Sequence, residues 1–285
     1  MDQRIINLFD EYTHKPLSRE SFLKRLTQLT GNTAAALAVL PMLEVSYAKA
    51  ETISQQDDRL ITERITYPGE DIEMKAYVAR PKSSGSYGAV IVIHENRGLN
   101  PHIEDITRRV ALEGFLAMAP DALSPLGGTP EDSDTARDMF SQLDASKSLS
   151  NFKKAFDYLK VRKECNGKLG CIGFCWGGAM ANQLAIHVPE LRAAIPYYGR
   201  QPEIKDVPKI KASLQLHYGG LDERINAGIP SFEDALKKSG IDYQLFIYEE
   251  AQHAFNNDTA PTRYNEAAAK LAWSRTIQFL KEKLS

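Results

Sequence analysis

The sequence predicts an α/β protein built on an open, mostly parallel sheet with helices on both faces, and three observations predict it. From about residue 61 onward, short apolar runs alternate with segments of helical period, as repeated β-α-β units require. The run Ala89-Val90-Ile91-Val92-Ile93 is apolar on both alternating sets of residues, the pattern of a strand covered on two faces. Gly173-Phe174-Cys175-Trp176-Gly177-Gly178 follows directly on Leu169-Gly170-Cys171-Ile172, so a strand runs into a sharp turn with small residues two before and two after its centre. The 285 residues, 43% hydrophobic and 25% charged, are enough to bury one sizeable core without a second domain.

Residues 1–50 are set apart from the domain expected over 51–285. Ser18-Arg19-Glu20-Ser21-Phe22-Leu23-Lys24-Arg25, the apolar run Ala34–Leu43 and Ala48-Lys49-Ala50 follow the layout of a twin-arginine export signal, with Glu20 where the second arginine belongs. The alternative is a helical arm that packs on the domain. Export would place the protein in the periplasm, and a retained arm would leave it in the cytoplasm. The apolar run is too short for a stable membrane span, and no other stretch reaches the roughly 18 to 20 apolar residues that one needs.

Within the domain, Ile61–Pro81 alternates polar and apolar residues around the turn Tyr67-Pro68-Gly69-Glu70-Asp71 and reads as an antiparallel hairpin. The buried strand 89–93 comes next. Apolar residues at Ile103, Ile106, Val110 and Leu112 read as a crossover helix that Gly114 stops, and Leu116–Asp121 is a short strand. Ser124–Thr135 reads as a polar loop rimming a site, and Phe152–Val161 as the helix feeding the strand before Cys175. After a helix over 177–187, strands are expected near 193–198, 214–218 and 243–248, with helices over 231–238 and about 265–284.

The chemistry centres on Cys175. The turn aims its sulfur and the N–H of Trp176 into one space at the positive end of the following helix, where a thiolate and an oxyanion are both favoured. The competing reading is a buried structural cysteine, one of the most buried residue types. Cys165, Cys171 and Cys175 imply no disulfide framework, because Cys171 and Cys175 on one strand lie roughly 13 Å apart. A thiol hydrolase needs a base within reach and a group to orient it. His253, on the loop after the last expected strand, and Asp222, on the loop leaving the one before, supply them. Each alone reads as a surface or turn residue, but the order nucleophile, acid, histidine at successive strand ends is that of the α/β-hydrolase fold.

The second oxyanion donor is expected from His94-Glu95-Asn96-Arg97-Gly98, with the N–H of Asn96 as candidate. Glu95, leaving a hydrophobic strand, needs a partner, either the Cys175 thiol or Arg97. Arg97, Tyr218, Phe255 and Asn257 are the candidate substrate contacts. Such chemistry needs no metal and no cofactor. The net charge of −2, with Lys and Arg scattered, gives no footprint for nucleic acid. A small ester or lactone is the expected ligand, and oligomeric state is not legible. A non-catalytic binding protein of the same fold and a hydrolase of larger acyl groups are the alternatives.

Together the elbow, His94–Gly98, Ala119-Pro120-Asp121, Gly219-Gly220-Leu221-Asp222 and His253-Ala254-Phe255 resemble the dienelactone hydrolase (carboxymethylenebutenolidase) family from about Ile61 to the C-terminus. The resemblance implies a Cys175-Asp222-His253 triad with Glu95 drawing the thiol proton when substrate arrives. It also implies arginines that grip the dienelactone carboxylate, one of them four residues after the histidine. That position is Asn257 here, and Ser124–Thr135 contains no arginine.

Overall fold

The computed structural model describes residues 1–15, 17–44 and 52–285. Three helices come first, α1 (Gln3–His14), α2 (Arg19–Thr30) and α3 (Thr33–Leu43), followed by β1 (Leu60–Pro68), β2 (Glu73–Pro81), β3 (Tyr87–Ile93), α4 (Pro101–Leu112) and β4 (Leu116–Pro120). The chain continues through α5 (Ser133–Phe140), α6 (Ala145–Lys160), β5 (Cys165–Phe174), α7 (Trp176–His187), β6 (Leu191–Tyr197), β7 (Ser213–Gly219), α8 (Glu223–Asn226), α9 (Ile229–Lys238), β8 (Tyr243–Tyr248) and α10 (Glu266–Leu284). The eight strands form one sheet in the order β1-β2-β4-β3-β5-β6-β7-β8. The β1–β2 and β2–β4 pairs are antiparallel, and every other pair is parallel.

Alternation along β3 shows how the sheet is sandwiched. Ile91 and Ile93 pack with Phe152, Phe156 and Leu184 of α6 and α7, while Val90 and Val92 face Ile106 and Val110 of α4 and Leu280 of α10. All residues from Ala89 to Ile93 are fully buried, which is why this stretch carries no polar side chain.

The structure departs from the sequence reading where caps matter more than apolar period. The stretch read as a loop over 124–135 holds a 3-10 turn at Ser124–Leu126, and α5 begins at its end because the Asp132 carboxylate accepts from the Thr135 N–H at 2.7 Å. Likewise α6 starts well before Phe152, with Asp144 accepting from the Lys147 N–H at 2.9 Å.

The N-terminal helices form a layer with its own core of Phe9, Tyr12, Phe22, Leu26 and Leu43, in which Tyr12 and Phe22 stack at 4.4 Å. The residues that resemble an export signal have packing roles in it: Ser18 caps α2, Phe22 is buried, and Arg19 pairs with Asp134 of α5 at 2.5 Å. Ala48-Lys49-Ala50 lies outside the described residues. No helix among the described residues is long and apolar enough to cross a membrane.

Candidate active site

The turn between β5 and α7 holds Cys175 at φ 55°, ψ −111°. A side chain in that region of backbone space is strained, at a cost of order 1–3 kcal/mol, and persists only where its surroundings over-determine it. Two glycines show how. A Cβ on Gly173 would stand 1.9 Å from the carbonyl oxygen of Gly177, and one on Gly177 would stand 2.3 Å from that of Ile93. The first turn of α7 is therefore pressed against β5 and β3, and the Cys175 N–H is fixed by the Tyr197 carbonyl at 3.0 Å. Trp176 opens α7, so its N–H is among those without an intrahelical acceptor. Asn96 lies just beyond the end of β3.

His253 and Asp222 meet as their strand-end positions require. Nδ1 of His253 lies 2.5 Å from Oδ2 of Asp222, while Oδ1 caps α8 through the Ile225 N–H at 3.3 Å. The carboxylate thereby fixes the ring and assigns the proton to Nδ1. Nε2 of His253 is buried without a hydrogen-bond partner, and a ring nitrogen of His253 lies within 4.8 Å of the Cys175 sulfur.

Glu95 is buried and is not paired with Arg97. Its Oε2 accepts from the Asn257 amide at 2.7 Å and its Oε1 from the Tyr198 hydroxyl at 3.4 Å. Arg97 donates instead to the Ser133 carbonyl at 2.6 Å and to Asp134 at 3.0 Å. Asn257 thus contacts Glu95, in the position where the family resemblance implies an arginine. Tyr218 and Phe255 are fully buried, Tyr218 in the layer beneath α9 and Phe255 against Tyr198 and Tyr248. Neither lines the cavity at the sulfur. His94 is structural: Nδ1 donates to the Glu95 carbonyl, Nε2 accepts from the Ala122 N–H, and burial holds the imidazole below its ordinary pKa.

All three cysteines are free. Burial pushes the Cys171 thiol up to about 12, which leaves it inert at neutral pH.

Four further residues at the site carried no clear signal in the sequence. His14, at the end of α1, places Nε2 at 3.1 Å from the Cys175 sulfur. Asp10 holds the other edge of that ring, 3.1 Å from Nδ1, and pairs with Arg224 at the same distance. Burial would lower the His14 pKa, but Cys175 and Asp10 outweigh it and raise it. Tyr198 stands at the carboxyl end of β6, where open α/β sheets bind ligands, and that position could have singled it out. Burial first, then Glu95 and Cys175, hold its phenol protonated. Arg137, just past the loop that lacks arginine, lies 4.1 Å over the Tyr12 ring.

From the sulfur a cavity of about 760 Å³ runs outward between the arm and the domain, lined in part by His14, Leu17, Phe140, Trp176 and Arg200. A second, much smaller space of about 10 Å³ lies beside it among His14, Glu95, Cys175 and His253, with Arg97 and Arg263 also on its wall. The arrangement presents a thiol, an oriented imidazole and a buried carboxylate at one end of a substrate-sized cleft.

Residues 74–284 match the sequence profile of the dienelactone hydrolase family. A provisionally named carboxymethylenebutenolidase of Escherichia coli (strain K12) is 34% identical over 250 residues, covering 82% of this chain and 92% of that protein. One of Methylorubrum extorquens is 28% identical over 285 residues, covering 94% and 96%. Among solved structures, a provisionally named dienelactone hydrolase of Klebsiella pneumoniae superposes with a TM-score of 0.71 at 30% identity, covering 77% of this chain and 97% of that one.

Proposed function

The chain belongs to the dienelactone hydrolase family and is a carboxylic ester or lactone hydrolase, and within that activity we propose that Cys175 is the nucleophile, His253 the base and Asp222 its orienting acid. The observation that supports this most is the pairing of Asp222 with Nδ1 of His253, which leaves an unpartnered Nε2 near a sulfur held on a strained elbow.

Substrate enters along the 760 Å³ cleft with its acyl carbon at the sulfur. The thiol proton passes to Nε2 of His253, directly or by way of Glu95, and the thiolate attacks the carbonyl carbon. The oxygen gathers the negative charge, and the N–H groups of Asn96 and Trp176 stabilise it. Collapse breaks the C–O bond, the leaving oxygen takes a proton from His253, and an acyl thioester remains. Water then attacks with His253 as base, the C–S bond breaks and the acid departs. In a lactone both products are one molecule. Helices α1 to α3 act in this reading as an arm walling the cleft of the sheet domain, whichever compartment holds the protein.

A second reading, hydrolysis of acyl groups larger than a five-membered lactone, is favoured by the cavity volume: of the three aromatics that would narrow it, Trp176 lines the wall but Tyr218 and Phe255 do not. The test of the first is to trap the acyl-enzyme from an activated aryl ester and locate it by peptide mass spectrometry. Acylation on Cys175 is expected. Acylation elsewhere, or none during turnover, overturns it.

A further inference from the structure

We infer that His14, Cys175 and His253 form a binding site for a divalent zinc-class cation, with the N-terminal arm supplying the ligand that completes it. Their ligand atoms lie within 4.8 Å of one another, and no other such trio occurs among the described residues. One thiolate and two imidazoles suit a borderline-soft ion in tetrahedral coordination. At bond lengths of about 2.0–2.3 Å the ligand atoms of such an ion stand about 3.5 Å apart; Nε2 of His14 is already 3.1 Å from the sulfur, and the widest separation must close by about 1 Å.

The outer shell is the stronger argument. A histidine that binds a metal through one nitrogen almost always donates the other N–H to a carboxylate or carbonyl, which fixes tautomer and orientation. Both rings do so here. Asp222 holds Nδ1 of His253 at 2.5 Å, and Nδ1 of His14 donates to the Asp10 backbone carbonyl at 2.8 Å, with an Asp10 carboxylate oxygen 3.1 Å away. Each ring therefore turns Nε2 inward. Nε2 of His253 is buried and unpartnered, and the 10 Å³ space that the three side chains share with Glu95, Arg97 and Arg263 is about the size that one water fills, the Arg97 charge being offset by Asp134. Glu95 borders that space, so a carboxylate or a water is at hand for a fourth position.

The ion arrests chemistry rather than driving it. Coordination expels the thiol proton to solvent, joins sulfur to metal with no change of oxidation state, and engages the nitrogen that would otherwise act as base. The arrest rests on Cys175 being the nucleophile, whereas the coordination does not.

Cobalt(II), titrated anaerobically into the full chain, is the probe. A thiolate-to-cobalt charge-transfer band, two exchangeable hyperfine-shifted imidazole N–H signals and displacement by one equivalent of Zn²⁺ are expected. His14→Ala should remove one N–H signal and weaken binding by more than the roughly 10–100-fold that loss of an outer-shell partner costs. Asp10→Asn should weaken it by about 10–100-fold with both signals kept. A band that survives in Cys175→Ala, a single imidazole signal in the wild type, or unchanged affinity in His14→Ala would overturn the site. The two-signal spectrum of the wild type decides the matter even if the arm of His14→Ala fails to dock. Zn²⁺ should also stop ester hydrolysis until a chelator removes it. Wild-type hydrolysis by Cys175→Ala would defeat the nucleophile assignment alone, leaving the cobalt spectrum to judge the metal site.

Discussion

The sheet domain and the N-terminal helical layer both reach Cys175, but they hold their residues there by different means. In the domain the positions are set by backbone: strand ends, a strained elbow, and glycines where any Cβ would collide with main chain. In the arm they are set mostly by side chains: Asp10 pairs with Arg224, Tyr12 lies under Arg137 and Phe9 under Arg263, and the Asn96 side chain donates to the Thr13 backbone carbonyl at 2.8 Å. Backbone placement fixes reacting atoms closely, as chemistry demands. Side-chain contacts of the arm's kind are individually modest, and a layer docked through them is expected to open at lower cost than the sheet. From this contrast we propose that the reaction belongs to the domain and control of access to the arm.

The largest expected effect tests the domain's half of that contrast. Cys175→Ala should lower aryl-ester turnover by on the order of 10⁴-fold or more, with the melting midpoint little changed. Measurable turnover at the wild-type rate would move the nucleophile elsewhere. Next, His253→Ala should cost on the order of 10²–10⁴-fold in kcat, and Asp222→Asn should impair kcat by misorienting the ring. If Asp222→Asn hydrolyses normally, the 2.5 Å contact is structural only.

The arm is tested through its own core. Phe22→Ala should destabilise the layer by about 3–5 kcal/mol, the usual cost of truncating a buried phenylalanine. Iodoacetamide should then reach Cys175 faster while the main thermal transition of the domain stays in place. Equal alkylation rates in variant and wild type would show that the arm does not guard the sulfur.

A smaller effect is expected at Glu95, where a carboxylate disfavours a second negative charge beside it. Glu95→Gln should alkylate several-fold faster yet hydrolyse more slowly, and no change in either rate would remove it from the chemistry. The smallest effect is at the other cysteines. Cys165→Ala and Cys171→Ala should leave both rates near wild type, since Cys171 is buried among apolar side chains in the sheet.

By itself the sequence determined what rests on local pattern. The two-faced burial of β3, the order of strands and helices, the elbow around Cys175, and Asp222 and His253 on strand-end loops are all written in neighbouring residues, because strand pattern and turn chemistry act over a few positions. Helix starts at Asp132 and Asp144 were legible only as single capping residues, weak against polar surroundings. Only the tertiary structure decided that Glu95 faces Asn257 and Tyr198 rather than Arg97, that Tyr218 and Phe255 sit in the core, and that His14 lies against the sulfur. Those contacts join residues far apart in the chain, and no local period encodes which side chains a folded sheet and a docked helix bring face to face.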